Sequence, residues 1–244
     1  MPTATTPEPE PGRTGNRLLD RLPEQEYTRL APSLVSASLK LKQLLIQVDG
    51  PVRDVYFPTT ALISTLVVLE DGSEVETIQT GSEGLVGLPA GLGVDFGLSR
   101  AICQVPGETW CLPARALREA LEWSRPLDAL VKRYTALVLR QTAQVVACNA
   151  LHPVTERLCR WLLMSHDRVG RDEFPMTHEF MGEMLGVRRQ TVTVIFGTLQ
   201  GAGLITFRRG IVRVVDRSGL EDAACECYRL IRALYDRIFP EPQI

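Results

Sequence analysis

The 244 residues contain no apolar stretch approaching the ~20 consecutive side chains that a membrane-spanning helix needs. Runs such as Leu137-Val138-Leu139 are far too short, which excludes a helical span and any membrane partner of that kind. The first 17 residues hold neither the apolar block of a secretory signal nor the Arg-rich amphipathic pattern of a transit peptide, so a cytoplasmic location is expected. Cysteine is scarce: six residues cannot staple a chain of this length, and in a reducing compartment they are thiols. Neither charge sign dominates, with a net charge of −2, and the 45% hydrophobic and 23% charged content is that of a folded protein rather than a disordered or fibrous one. Catalytic signatures are missing too. There is no Gly-x-Ser-x-Gly elbow, no phosphate-cradling Gly-Lys-Ser/Thr loop, no His-Glu-x-x-His and no dinucleotide fingerprint, so the chain is not expected to be an enzyme.

Net charge divides unevenly along the chain: −3 over residues 1–151, +3 over 152–217 and −2 over 218–244. A basic segment between acidic ones directs the search for a polyanion partner to residues 152–217. Residues 1–15 have almost nothing apolar to bury and read as a disordered tail. Residues 16–42 follow a short helical pattern. From Leu44 to Leu112 the chain breaks into short β-rich runs with turns at Asp49-Gly50-Pro51, Asp71-Gly72 and Pro106-Gly107, the mark of an antiparallel barrel or sandwich. Ala114–Trp123 is a short helix and Ser124 to about Ala150 a long one. On the long helix Leu127, Leu130, Tyr134, Leu137, Gln141 and Cys148 recur at close to 3.5 spacing, the pattern of a two-helix seam and hence of a homodimer.

The most informative stretch is Met176–Val215. Thr177 is a good helix N-cap; Met181, Met184 and Leu185 supply a buried face; Gly186 allows a sharp left-handed corner. In the following helix, read over 188–200, Val192, Ile195, Phe196 and Leu199 point inward and leave Arg189, Gln190 and Thr193 outside. Two helices joined this way form a helix-turn-helix whose second helix enters the major groove. Arg pairs with guanine O6 and N7, and Gln with adenine N6 and N7. Two short strands joined at Arg208-Arg209-Gly210 then form a basic wing suited to phosphate. The expected partner is double-stranded DNA, with Arg189, Gln190, Thr193, Arg208 and Arg209 as contacts. A second reading keeps the same fold as a ligand-binding or protein-association module that no longer touches DNA.

The motifs Met181-Gly182-Glu183-Met184-Leu185-Gly186 and Arg189-Gln190-Thr191-Val192, with the order of elements from about Leu18 to Leu220, resemble the Crp/Fnr superfamily of bacterial transcription regulators. That resemblance implies an α+β chain with an antiparallel β-roll, jelly-roll-like and similar to cyclic-nucleotide-binding domains, followed by a long dimerisation helix and a winged helix-turn-helix. The corresponding boundaries are 1–15 tail, 16–123 β-roll with flanking helices, 124–150 dimerisation helix, 151–220 winged helix-turn-helix and 221–244 C-terminal helix. It further implies a homodimer on a near-palindromic operator, base reading by Arg189 and Gln190, phosphate contacts from Thr177, Arg188 and Thr191, and RNA polymerase as a further partner. The effector pocket of cyclic-nucleotide-binding members corresponds to Gly84, Leu85, Gly87, Arg100 and Ala101. Leu85 stands where those members carry the ribose-binding Glu, and Ala101 where they carry a hydroxyl, so cyclic AMP is not expected and no cofactor is assigned. There is no cysteine before Cys103, so the N-terminal cysteine group of the family's oxygen sensor is missing. The histidines are scattered and form no metal pattern. Cys148 and Cys159 read as core residues, and only the Cys225-x-Cys227 pair has a spacing compatible with a metal or redox role.

Overall fold

The computed structural model describes residues 14–240. In chain order the elements are α1 (Glu24–Leu30), β1 (Val35–Leu39), β2 (Leu44–Ile46), β3 (Asp54–Pro58), β4 (Leu62–Val68), β5 (Glu74–Thr80), α2 (Leu88–Gly91), β6 (Arg100–Val105), β7 (Gly107–Pro113), α3 (Ala114–Trp123), α4 (Arg125–Leu151), α5 (Val154–Val169), β8 (Glu173–Pro175), α6 (His178–Leu185), α7 (Arg189–Gly201), β9 (Ile205–Arg208), β10 (Ile211–Val214), α8 (Arg217–Asp222) and α9 (Cys227–Ile238). The architecture is α+β with open antiparallel sheets, and no sheet among the described residues closes into a barrel.

The chain divides into two compact units, one holding residues up to Ile63 with Thr80–Lys132, the other Ser64–Gln79 with the chain from Arg133 onward. The expected boundaries placed all of 16–123 in one domain; instead the β4–β5 hairpin segment belongs with the later helices. The reason is polar satisfaction. Glu76, buried on β5, accepts from the Ser64 hydroxyl and from the Trp161 indole N–H, both at 2.7 Å, and the buried Gln79 amide donates to Ser165 Oγ at 3.0 Å. Buried polar groups need partners, and those of this hairpin lie on α5.

In the first unit β7 lies between β1 and β3, with Val35 opposite Cys111 and Phe57 opposite Trp110, and β2 pairs with β6. Val55, Phe57, Leu112 and Leu117 are fully enclosed. β1 falls within the stretch expected to be helical. Its sequence Val-Ser-Ala-Ser-Leu alternates apolar and polar residues, a period-2 strand signal masked by the helical stretch before it, and pairing with β7 fixes the strand. Of the expected disordered tail, residues 1–13 lie outside the described residues. Thr14 is held in place: the Trp110 indole donates to its carbonyl at 3.0 Å, and the buried Asn16 amide next to it donates to the carbonyls of Pro58 and Gly84 at 2.8 and 2.9 Å.

In the second unit Leu158, Trp161 and Leu162 of α5 form the centre, with α6, α8 and α9 packed around that helix. The wing gains a third strand that the sequence reading missed. β8 pairs with β10, Ile211 opposite Pro175, in the order β8-β10-β9. Three residues ending in proline carry no strand pattern of their own. Within the expected C-terminal helix span of 221–244 the helix is α9, Cys227–Ile238, which follows the end of α8 at Asp222, and residues 241–244 lie outside the described residues.

Helix α4 begins one residue after Ser124, whose hydroxyl accepts the Leu127 N–H at 3.2 Å as an N-cap. The expected dimer seam requires correction here. Leu127, Tyr134, Leu137, Gln141 and Cys148 are buried within the single chain and Leu130 is half-buried, so this face is already spent. What remains exposed is a second stripe on the same helix: Ala129, Ala136, Ala143 and Ala150 at seven-residue intervals, interleaved with Leu139 and Val146, which are 66% and 64% exposed. The large side chains went to the chain's own core, and the small ones were left facing outward.

Candidate nucleic-acid interface

The helix-turn-helix is built by local chemistry. Thr177 caps α6, its hydroxyl accepting the Phe180 N–H at 3.2 Å. At the other end Gly186 adopts φ +65°, its N–H bonds the Glu183 carbonyl at 3.2 Å, and the Val187 N–H bonds the Gly182 carbonyl at 2.8 Å. These two bonds are the 5→2 and 6→1 pair of a Schellman stop, which satisfies the last carbonyls and turns the chain. Gly182 is required for a different reason: a Cβ there would lie 2.8 Å from the Val187 carbonyl oxygen. Arg157, buried on α5, closes the corner by donating from Nη2 to the Leu185 carbonyl at 2.7 Å.

Helix α7 then starts at Arg189, within one residue of the expected 188–200 span. Val192, Phe196 and Leu199 face the core, while Arg188, Arg189, Gln190, Thr191 and Thr193 are all exposed. Arg188 occupies the N-cap position and makes no capping hydrogen bond from its side chain. The first amide groups of α7 therefore lack the acceptor that Thr177 gives α6, and with the positive end of the helix dipole they suit an anion. Thr193 differs from expectation in its hydroxyl, which donates to the Arg189 carbonyl at 3.1 Å and receives the His178 Nδ1–H at 2.9 Å. His178 also stacks on Phe207 at 4.3 Å between ring centres and tilts against Phe196 at 4.7 Å. Burial, and then the nearby Arg189 charge, lower its pKa, so at neutral pH it is an uncharged bracket joining α6, α7 and the wing. The sequence reading missed His178, although its place one residue after the Thr177 cap was a usable signal.

The wing turn is tight. Arg208 is opposite Ile211, leaving Arg209 and Gly210 as the two turn residues, at φ +51° and +78°. Two successive positive φ values are those of a type I′ turn, whose twist matches a hairpin. Arg208 and Arg209 are exposed. The Met176 N–H donates to the Gly210 carbonyl at 2.7 Å, so the tip is fastened beside exposed Thr177 at the start of α6. The cap of α6, the start of α7 and the wing tip, the three places that carry the expected DNA contacts, thus belong to one folded unit.

Four of the five expected effector residues are spent on the fold, and the fifth, Arg100, opens β6 half-buried. Leu85 is buried, the Val86 and Tyr56 backbones exchange hydrogen bonds at 2.8 and 2.9 Å, and the Gly84 carbonyl is taken by Asn16. Gly87 is at φ +94°, and a Cβ there would meet Val55 at 3.0 Å. Ala101 pairs with Ile46 in the β2–β6 ladder.

One grouping goes beyond the expectation, which left a metal or redox role to Cys225 and Cys227 alone. Cys148, His152, Cys225 and Cys227 converge, with their ligand atoms all within 4.8 Å of one another. The signal was present as Cys148-x-x-x-His152, an i, i+4 pair on one helical face, and as Cys225-x-Cys227, but the separation of 77 positions between Cys148 and Cys225 hid it.

A family model for a Crp-like helix-turn-helix domain matches residues 156–223. Among curated proteins, none matches the chain at significance. Solved structures similar to the chain include a putative transcriptional regulator of the Crp/Fnr family from Eubacterium rectale, 17% identical, with a TM-score of 0.67 over 86% of this chain and 99% of that one. FixK2 from Bradyrhizobium japonicum is 17% identical, with a TM-score of 0.68 over 79% and 98%. TTHB099, a CRP-family transcriptional regulator from Thermus thermophilus, is 22% identical, with a TM-score of 0.64 over 77% and 96%.

Proposed function

Starting from a chain that has a Crp-like helix-turn-helix domain at residues 156–223 and the fold of the Crp/Fnr regulators, we propose that the protein is a DNA-binding transcription regulator acting as a homodimer. The observation that carries this reading is the exposure of Arg189 and Gln190 at the start of a helix whose opposite face is locked in the core. Those two side chains read base edges in the major groove. Thr177, Arg188 and Thr191 meet phosphate beside them, and Arg208 and Arg209 meet it from the wing. Thr193, exposed beside them on α7, meets DNA on the same face and also holds His178.

The dimer forms through the exposed stripe of α4, Ala129 to Ala150 with Leu139 and Val146, where small side chains permit close approach of two helices. Two recognition helices then address half-sites about 34 Å apart on a near-palindromic operator. Leu85 and the spent backbone of its loop argue against a cyclic nucleotide as effector, and the role requires no catalysis. The protein works in the cytoplasm, with RNA polymerase as a further partner.

A gel-shift titration with genomic fragments tests the reading. A preferred fragment should be retained against excess competitor, with affinity falling steeply between low and physiological salt. Equal binding to all fragments, or none, rejects a sequence-specific regulator. Sedimentation of Ala143→Arg tests the seam: the wild-type dimer should become a monomer, and an unchanged dimer rejects this face.

A further inference from the structure

Four side chains from distant parts of the second unit meet where α4 ends and α9 begins. His152 extends the last turn of α4, its N–H bonded to the Cys148 carbonyl at 3.0 Å, which places both side chains on one face. Cys227 is the first residue of α9, and Cys225 lies two residues earlier, its carbonyl accepting the Tyr228 N–H at 3.1 Å. The sulfurs of Cys148 and Cys225 are 3.5 Å apart, and Cys227 Sγ is 3.6 Å from His152 Nδ1. All three cysteines are buried.

The 3.5 and 3.6 Å spacings lie near the edge of a metal-centred tetrahedron, and all four ligand atoms fall within 4.8 Å of one another. With metal–sulfur bonds of about 2.3 Å, tetrahedral ligands sit about 3.8 Å from one another. An iron–sulfur cluster puts several metals and bridging sulfides between its outer thiolates and spreads them further apart. Three sulfurs and one imidazole nitrogen are a donor set that selects zinc.

The surroundings fit the charge of such a centre. Zn²⁺ with three thiolates and a neutral imidazole carries a net charge of −1. Arg157 and Arg160 are both buried, and the charges of both act on the Cys148 sulfur. Among the described residues neither forms an ion pair with a carboxylate. Arg160 shares its charge with Glu76, but Arg157 meets no carboxylate among them, and a buried guanidinium without a counter-ion carries a cost that an anionic metal centre would offset. The Gln144 amide donates to Cys227 Sγ at 3.1 Å, an outer hydrogen bond of the kind that orients a metal thiolate.

We propose that Cys148, His152, Cys225 and Cys227 bind one Zn²⁺ per chain in a closed structural site that clasps the start of α9 to the end of the long helix. This inference is independent of the DNA-binding reading, and it replaces the expectation of separate core cysteines. Metal content tests it on the full chain, purified under reducing conditions without a metal-affinity step. Zinc should be found at about one per chain. Cys225→Ser and His152→Ala should lose it, while Cys159→Ser, at a buried thiol outside the cluster, should keep it. Should the ligand variants fail to fold, titration of the wild-type protein with a mercurial reagent should release zinc in step with three thiols. Reconstitution with Co²⁺ should give thiolate charge-transfer bands and tetrahedral d–d bands. A chain without stoichiometric zinc, unchanged zinc in the ligand variants, iron with acid-labile sulfide, or a Cys148–Cys225 disulfide in the reduced preparation would each overturn the proposal.

Discussion

Glu76→Gln should abolish a pH dependence of stability that the wild-type protein carries between mild acid and neutrality. The carboxyl is fully enclosed. Burial raises its pKa from 4.5 to about 7, opposed by hydrogen bonds from Ser64 and Trp161 and by the charges of Arg160 and Arg168. Below 4.5 the carboxyl is protonated in the folded and the unfolded chain alike, and no difference arises. Between 4.5 and about 7 the folded chain holds a proton that the unfolded chain has released, so stability falls as pH rises. Above 7 the full cost of a buried carboxylate is present. At about 1.36 kcal/mol for each pH unit separating the folded and unfolded values, that cost is roughly 3 kcal/mol. A glutamine retains an acceptor for the Trp161 indole and has no proton to lose. The assay is urea unfolding of wild type and variant from about pH 5 to pH 8, read by tryptophan fluorescence. The difference between the two curves cancels His178, whose lowered pKa gives a contribution of opposite slope, rising toward its ordinary value of 6.5. Near pH 5 the two proteins should be about equally stable. At pH 8 the variant should be more stable by roughly 2 to 3 kcal/mol, a figure that already includes the attraction of the two arginines for the carboxylate. Parallel curves across the window, or a variant weaker at pH 8 than at pH 5 relative to wild type, would refute the placement of this carboxyl in a desolvated site.

Three other outcomes follow from the interface. Arg189→Ala should lower affinity for the preferred operator by ~1 to 3 kcal/mol and relax choice at one base position; unchanged discrimination against scrambled DNA would remove Arg189 from base reading. Arg208→Ala should weaken all sequences alike and reduce the salt slope by about one, so a sequence-dependent loss would assign it another role. Gly182→Ala places a Cβ 2.8 Å from the Val187 carbonyl and should cost about 1 to 3 kcal/mol in thermal unfolding despite alanine's better helix propensity; a neutral result would mean that the corner yields freely.

The helix-turn-helix was legible because its determinants are local. A capping hydroxyl at Thr177, a left-handed Gly186 and a 3.6-residue apolar rhythm through Val192 and Phe196 act over a turn or two, and each was read in place. The long helix was legible for the same reason, to within one residue at each end. Its faces were not. Periodicity identifies an apolar stripe but not what covers it, so the large residues of α4 read as a seam although the chain's own core takes them. Strand β8 lacks a pattern of its own, because in a three-residue edge strand the partner's hydrogen bonds decide the conformation, whereas β1 alternates over Val35–Leu39 and its signal was too short to stand out from the helical stretch before it.

Sequence alone therefore determined the elements whose energetics are settled within a few residues: the caps, the corner, the recognition helix and the turn-bound wing. Tertiary structure alone decided which groups met across long loops, including the hairpin carboxylate Glu76 beneath Trp161 and the sulfurs of Cys148 and Cys225 at 3.5 Å. Such meetings depend on how the whole chain satisfies its buried polar groups, and no window of sequence contains that balance.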